Sequence, residues 1–140
     1  MNGEAVALSI PSRSSAVVLA SVAGFVALCA LSMATYPGGS WLDRHAEGHD
    51  LFRNFLCDLL GPIAINGRPN PTGAPAMMAA MGSFAVALFF TWWSVPRLVR
   101  QQRLTRAIRL TGVVSTIGLL SVPLTPPTVS YGLHAAAVFT

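Results

Sequence analysis

The chain has 140 residues, of which 53% are hydrophobic and only 10% are charged, and its formal net charge is +4. Soluble domains carry about 25% charged residues, so this composition excludes an ordinary soluble globular domain and predicts a membrane protein. All of the basic residues are arginines, and most of them lie in one short segment. The net positive charge therefore does not indicate a nucleic-acid partner.

The chain begins with a short tail, residues 1–13, followed by a long uncharged segment. Residues 14–36, SSAVVLASVAGFVALCALSMATY, contain no charged side chain. A helix needs about 20 apolar residues to cross the ~30 Å hydrocarbon core of a bilayer, so this segment predicts the first transmembrane helix. Pro37 and the two glycines after it predict its end, because proline cannot continue a helix and glycine favours a turn.

Residues 37–74 are polar by contrast, and they contain four of the five acidic residues of the chain. Asp43 is a suitable N-cap, and apolar residues recur at i, i+3 and i+4 spacing as far as Leu60. This pattern predicts a short amphipathic interfacial helix over about residues 43–60. It is too short to cross a bilayer and is suited to lying at the membrane surface. Residues 65–73, INGRPNPTG, are typical of a turn-rich connection to the next helix.

Two further spans follow. Residues 75–95, PAMMAAMGSFAVALFFTWWSV, predict the second transmembrane helix, residues 96–109 a basic loop, and residues 110–125 a weaker third helix that prolines limit at its far end. Residues 126–140 predict an outer loop and the start of a fourth span. The expected fold class is an all-α polytopic transmembrane bundle of three spans and the start of a fourth. We expect the chain to be a fragment of a longer multi-pass protein; a complete protein with a re-entrant or interfacial tail is the alternative.

The basic loop predicts the orientation. Short arginine-rich loops stay in the cytoplasm, so the N-terminal tail and this loop are predicted to be cytoplasmic and residues 40–73 extracytoplasmic. An arginine at every third position spirals around a helix and does not form one binding face. We therefore expect these side chains to anchor lipid headgroups, with the bilayer as the partner. They are Arg97, Arg100, Arg103, Arg106 and Arg109.

The histidines of the polar segment are weak candidates for a metal site. His45 and His49 have the i, i+4 spacing of two ligands on one helical face. However, HAEGH places Glu47 one residue later than the zinc-protease pattern does, and His134 is the only other histidine. Solvated polar side chains explain the same residues, and no cofactor is predicted.

Asn54 and Asp58 are the candidates for catalysis. They are also spaced i, i+4 and would share a polar stripe at the outer membrane face. His134 is expected at the same depth, at the start of the fourth span. A salt-bridged interfacial helix explains the stripe equally well. The two cysteines, Cys29 and Cys57, are expected at different depths and unpaired.

The order of these features resembles that of a family of multi-pass prokaryotic membrane proteins, domain-of-unknown-function family 998. The matching pieces are YPGG (Tyr36–Gly39), FRNFLCDLLG (Phe52–Gly61) and INGRPNPTG (Ile65–Gly73), with Cys57 where the family pattern has a serine. The resemblance implies about six spans and no particular activity. A more distant similarity is to membrane-embedded metal-dependent hydrolases such as alkaline ceramidases, whose paired downstream histidines are either absent here or expected to be lost with a missing C-terminal part.

Two functions from different classes are therefore expected. The favoured one is a non-enzymatic integral membrane protein with a transport-like, sensory or structural role. The alternative is a membrane-embedded metal-dependent hydrolase that acts on a lipid or amide at the outer leaflet, with Asn54, Asp58 and His134 as its site and zinc as its metal.

Overall fold

The computed structural model describes residues 12–99, 101–125 and 131–138. Every regular element within these ranges is helical, which confirms the all-α prediction for them. The elements are α1 (Ser12–Thr35), a 3₁₀ helix (Leu56–Leu60), α2 (Gly73–Ser94), a second 3₁₀ helix (Val95–Leu98), α3 (Gln102–Ser121) and α4 (Tyr131–Val138).

Some predicted features lie outside the described residues. These are most of the N-terminal tail (residues 1–11), Arg100, and parts of the predicted outer loop and fourth span (residues 126–130 and 139–140).

The first two α-helices correspond to the first two predicted spans. α1 has 24 residues and α2 has 22, which makes them ~36 Å and ~33 Å long at 1.5 Å per residue. The segments Arg13–Thr35 and Gly73–Leu98 are long and apolar enough to cross a membrane. Their length and composition make a membrane location possible.

α1 and α2 form an antiparallel pair. The buried Ser32 hydroxyl, near the end of α1, donates a 2.8 Å hydrogen bond to the carbonyl of Gly73, the first residue of α2. Near the middle of both helices, the Ser83 hydroxyl donates to the Ser21 carbonyl at 2.8 Å. Gly24 permits this close approach, because a Cβ there would lie 2.9 Å from the Ser83 oxygen. The two helices are therefore in contact at one end and at the middle.

The third and fourth spans are not confirmed. α3 begins at Gln102, so the predicted basic loop is helical over residues 102–109, and three of its arginines lie on the first turns of α3. Only residues 110–121 of α3 are free of charge, and they extend about 18 Å, less than the hydrocarbon core. α4 has eight residues and is shorter still.

The predicted amphipathic helix over residues 43–60 is wrong for most of its length. Residues 43–55 form turns and irregular structure, and only Leu56–Leu60 is helical, as a single 3₁₀ helix. The residues between α1 and α2, residues 36–72, are called the connecting loop below.

Local side-chain hydrogen bonds explain why the helix does not form. The Asp43 carboxylate accepts from the backbone N–H of His45 at 2.8 Å, and the Asp50 carboxylate accepts from that of Phe52 at 2.8 Å. Such aspartate turns offer the backbone an alternative to helical hydrogen bonds. Gly48 lies between them with a positive φ of 68°, which a regular α-helix does not contain.

Two consecutive glycines let the connecting loop fold back on itself. Gly38 and Gly39 have positive φ angles of 121° and 86°. The Gly39 N–H donates to the Ala46 carbonyl at 2.8 Å, and the Gly38 carbonyl accepts from the Asn66 N–H at 3.2 Å. The Asn66 side chain also donates to the Pro37 carbonyl at 2.8 Å. The start, middle and end of the loop are thereby joined.

Asn70 joins the end of the loop to its 3₁₀ helix. Its side-chain amide is almost fully buried and donates to the carbonyls of Leu59 and Gly61, both at 3.1 Å. Its backbone N–H donates to the Pro62 carbonyl at 2.8 Å. These bonds satisfy carbonyls that the short helix leaves without an internal partner.

A buried apolar cluster connects the loop with the helices. Leu59 and Leu60 of the 3₁₀ helix belong to it together with residues of α1 and α2 and the residue after α3. Its members are Cys29, Tyr36, Leu59, Leu60, Ala64, Met77, Ala80, Met81 and Val122. The loop is thus packed into one end of the helix group.

Candidate functional site

The candidate site is built around the carboxylate of Asp58, in the 3₁₀ helix of the connecting loop. Asp58 is buried, with 8% of its surface exposed. One carboxylate oxygen accepts from the Trp41 indole N–H at 3.2 Å. The other accepts from the Phe55 backbone N–H at 2.8 Å and from the Asn54 side-chain amide at 3.2 Å. Three donors therefore hold this buried carboxylate.

The local fold places the Asp58 carboxylate where it accepts a hydrogen bond at the start of its own 3₁₀ helix. Phe55 is the N-cap residue of Leu56–Leu60, and its N–H has no helical partner. The Asp58 carboxylate accepts from that N–H, while the Asp58 N–H donates to the Phe55 carbonyl at 3.0 Å. A negative charge in the first turn of a helix is favourable as well.

Asn54 connects this carboxylate to the glycine turn. Its amide nitrogen donates to the Gly39 carbonyl at 2.8 Å as well as to Asp58. Its amide oxygen accepts from the Asp50 backbone N–H at 3.1 Å. Asn54 and Asp58 are therefore neighbours, as their spacing predicts, although turns and not an α-helix bring them together. Whether either residue is catalytic stays a prediction.

Trp41 is the member of the site that the sequence pattern does not reveal. It lies 17 residues before Asp58, and no periodicity links the two positions. Its ring is exposed while its N–H is bonded to the buried carboxylate. The sequence shows only that Trp41 and Asp58 lie in the same segment. An acid that becomes buried there needs hydrogen-bond donors, and an indole N–H can be one.

One cleft in the connecting loop adjoins the site, and another in the same loop shares only Arg44 with it. The first, of about 270 Å³, is mainly apolar and includes Trp41, Cys57, Asp58 and Ile63 in its wall. The second, of about 120 Å³, is polar and includes His45, Glu47, Asn66 and Arg68. Arg44 lines both of them.

Cys57 is held as a thiol in the apolar cleft. It is half-buried, and that burial, followed by the negative charge of Asp58, raises the pKa of its thiol above the ordinary value, against a smaller opposing effect of its own backbone. The thiolate is the nucleophilic form, so this environment does not activate Cys57.

His49 is enclosed beside the site. Within the described residues both of its ring nitrogens are buried without an assigned hydrogen-bond partner, and the ring contacts that of Tyr36 edge to face at 5.9 Å between centroids. Burial lowers the pKa of His49 below its ordinary value, against the smaller opposing effects of Asp58, Asp50 and the backbone of Phe55. The neutral imidazole is therefore favoured.

The predicted metal candidates are separated. His45 is exposed on a turn beside the polar cleft, whereas His49 is enclosed. His134 is buried in α4, where its Nδ1 lies 2.7 Å from the Thr125 carbonyl oxygen, and it does not line the cleft beside Asp58. In the described ranges no group of three or more His, Cys, Asp or Glu side chains could hold a metal ion.

Four of the five arginines predicted to anchor headgroups lie among the described residues, at the other end of α2. Arg97 is exposed on the second 3₁₀ helix, and Arg103, Arg106 and Arg109 are exposed on the first turns of α3. The Arg109 guanidinium lies 5.2 Å from the centre of the Trp93 ring, a cation–π contact. Lipid contact by these side chains stays a prediction.

Comparisons with known protein families, with characterised proteins and with solved structures find no significant match. The function of the site must therefore be inferred from its own residues and geometry.

Proposed function

We propose that this chain is a non-enzymatic, structural integral membrane protein in which α1 and α2 form a transmembrane hairpin and the connecting loop is its folded cap. The observation that supports this proposal best is the exposure of α1. Only 11% of the apolar stretch of Arg13–Thr35 is buried. Exposing such a surface to water costs roughly 25 cal/mol of free energy per Å² of apolar area, and this cost is absent when the surface contacts lipid.

A cleaved signal sequence would have a similar composition, but the contacts of α1 favour its retention. The Ser32 hydroxyl is fully buried against the first residue of α2, and Ser21 accepts a hydrogen bond from Ser83. Phe25 stacks on Phe84 with 4.9 Å between ring centroids. Removing α1 would expose this side of α2.

The arginines of α3 support the proposed orientation. Arginine-rich segments stay in the cytoplasm, so the Arg97–Arg109 end of the molecule is proposed to be cytoplasmic and the connecting loop extracytoplasmic. The resemblance to family 998 supports the same order of spans and loop, and we retain membership of that family as part of the proposal.

The bonding of Asp58 supports a structural role over a catalytic one. A carboxylate offers about four acceptor positions, and fixed donors within the loop take three of those of Asp58. A general base needs a free lone pair directed at a substrate proton. This arrangement supports a carboxylate that holds a loop in shape.

Membrane insertion and orientation are tested on the full chain in cell membranes. In a Cys29→Ser, Cys57→Ser background, His45→Cys and Arg103→Cys place single exposed thiols at the two ends. We expect the protein to stay in the membrane after alkaline carbonate extraction. We also expect a membrane-impermeant maleimide to label His45→Cys in intact cells and Arg103→Cys only after permeabilisation. Extraction into the carbonate supernatant would refute the proposal.

The choice between a structural and a hydrolytic carboxylate is tested with Asp58→Asn. A structural role predicts faster hydrogen exchange of the loop amides, because the amide nitrogen that replaces one carboxylate oxygen cannot accept a hydrogen bond and therefore opposes either the Trp41 donor or the Phe55 and Asn54 donors. The hydrolase alternative predicts unchanged exchange and stoichiometric zinc in the purified protein, lost on replacing Asp58 or His134.

A further inference from the structure

The connecting loop exposes an unusual set of large apolar side chains. Six of them are at least 60% exposed, and Phe52 is 98% and Leu42 82% exposed. Single exposed apolar residues are ordinary, but clusters of them mark interaction surfaces. We call Trp41, Leu42, Leu51, Phe52, Phe55 and Ile63 the apolar loop surface.

Hydrogen bonds hold parts of this surface in place. The Trp41 N–H and the Phe55 backbone N–H both donate to Asp58, and the Phe52 N–H donates to Asp50. The exposed rings therefore belong to a framework of turns and do not form a loose tail. An indole whose ring is exposed and whose N–H is satisfied is suited to a boundary between apolar and polar surroundings.

Unpaired cations adjoin the apolar loop surface. Arg44 lines the apolar cleft together with Trp41 and Ile63, and it lines the polar cleft together with Arg68. Neither arginine forms an ion pair within the described ranges, whereas Arg53 pairs with Asp50 at 3.6 Å. Glu47 also borders the polar cleft, so two arginines and one acidic residue line it.

An apolar surface flanked by free arginines is complementary to the headgroup boundary of a phospholipid bilayer. Acyl chains meet apolar side chains there, and phosphates accept hydrogen bonds from guanidinium groups. The loop joins the ends of α1 and α2, so in the proposed hairpin it lies at that boundary.

We propose that the connecting loop inserts its apolar surface into the headgroup–acyl boundary of the bilayer and that Arg44 and Arg68 bind phospholipid phosphates. This inference rests on the proposed function, because it requires α1 and α2 to cross the membrane. It goes beyond that function in making the loop itself a lipid-binding element.

The first test measures the depth of Trp41 in the full chain in nanodiscs. Trp92→Phe and Trp93→Phe leave Trp41 as the only tryptophan. We expect phosphatidylcholine brominated near the carbonyl end of its chains to reduce the Trp41 emission at least two-fold, and acrylamide to quench it several-fold less than free tryptophan. Emission unaffected by brominated lipid would overturn the inference.

A second measurement leaves the tryptophans in place. A nitroxide on Phe52→Cys, in the cysteine-free background, reports its collisions with oxygen, which is concentrated in lipid, and with a water-soluble nickel chelate. Greater accessibility to oxygen is expected. Greater accessibility to the nickel chelate, or disulfide-linked dimers through Phe52→Cys that indicate a second copy on the surface, would contradict lipid contact.

The role of the arginines is tested with Arg44→Gln and Arg68→Gln together, and the matched control is Arg53→Gln, whose guanidinium already has a partner. In nanodiscs with about one third phosphatidylglycerol, the double variant is expected to increase acrylamide quenching of Trp41 about two-fold and the control to leave it unchanged. Equal effects would exclude phosphate binding by Arg44 and Arg68. Alkaline extraction of the chain would instead refute the transmembrane hairpin, so the two proposals fail by different results.

Discussion

Gly39 and Gly67 provide a matched pair for measuring what the fold of the connecting loop requires. Their φ angles are nearly equal, 86° and 83°, in a region that favours glycine. A Cβ on Gly39 would collide with the backbone nitrogen of Asn66 and lie 2.8 Å from the Ile65 carbonyl carbon, whereas a Cβ on Gly67 would meet nothing within 4 Å. Gly39→Ala and Gly67→Ala therefore differ mainly in the close approach of the backbone.

The free-energy cost of the left-handed backbone conformation and that of the close backbone contact can be separated on this basis. An alanine in the left-handed region costs roughly 1–2 kcal/mol, and both variants carry that cost. Overpacking adds about 1–3 kcal/mol, and only Gly39→Ala carries it, because the obstructing atoms belong to the backbone. We expect Gly67→Ala to destabilise the loop by roughly 1–2 kcal/mol and Gly39→Ala by roughly 2–5 kcal/mol.

Hydrogen exchange of the loop amides, measured by mass spectrometry in nanodiscs, reports the opening free energy directly. The N–H groups of Ala64, Asn66 and Asn70 are bonded within the loop and serve as probes. Since each 1.4 kcal/mol changes an equilibrium tenfold, exchange in Gly39→Ala should be at least about five times faster than in Gly67→Ala. Equal acceleration in the two variants would refute the close contact between Gly39 and Asn66.

Three further predictions concern other contacts. Asn70→Leu leaves two buried carbonyls without donors, so the opening free energy of the loop should fall by about 2–5 kcal/mol. The same exchange experiment measures it, and exchange at the wild-type rate would contradict the role of the Asn70 amide. Because burial depresses the pKa of His49, the loop's stability should be complete above the ordinary value near 6.5 and decrease as the pH falls through it. His49→Phe should abolish that dependence and the exposed control His45→Phe should keep it, as measured by exchange corrected for intrinsic pH effects. Gly24→Leu should separate α1 from α2 and lower the melting temperature in detergent. Gly82→Ala should not lower it, because a Cβ there meets nothing within 4 Å. Equal melting temperatures of the two variants would refute the close packing of α1 on α2 at Gly24.

The two long helices could be predicted closely from the sequence. The predicted spans 14–36 and 75–95 end within two residues of α1 and α2, because long uncharged apolar runs favour helices and Pro37 prevents continuation. Composition determines these elements locally, and no knowledge of distant contacts is needed.

The connecting loop could not be predicted in the same way. Apolar residues recur at helical spacing there, yet Leu51, Phe52 and Phe55 lie in turns and irregular structure before the 3₁₀ helix, so their periodicity did not report an α-helix. The aspartate turns at Asp43 and Asp50 compete with the helix. The i, i+4 spacing of apolar residues alone does not reveal which of these effects is stronger.

The partners of the buried polar groups depend on tertiary structure. Asn54 and Asp58 are close in sequence, and any compact turn brings them together. Trp41 reaches Asp58 only because Gly38 and Gly39 reverse the chain, and the role of Asn70 exists only after the 3₁₀ helix has formed. Such contacts join residues with no fixed spacing, which is why sequence reasoning identified the acid and missed its indole donor.

The position of Leu59 and Leu60 couples the loop to the helix pair. Both are buried in the cluster that includes Cys29 of α1 and Met77 of α2, and the residue before them is Asp58. The donors that hold the Asp58 carboxylate therefore also help to hold these two leucines in that cluster. A disturbed glycine turn would shift Leu59 and Leu60 and loosen the contact of α1 with α2. Under the proposed function, this packing of Leu59 and Leu60 into the cluster shared with α1 and α2 is what makes the loop a cap.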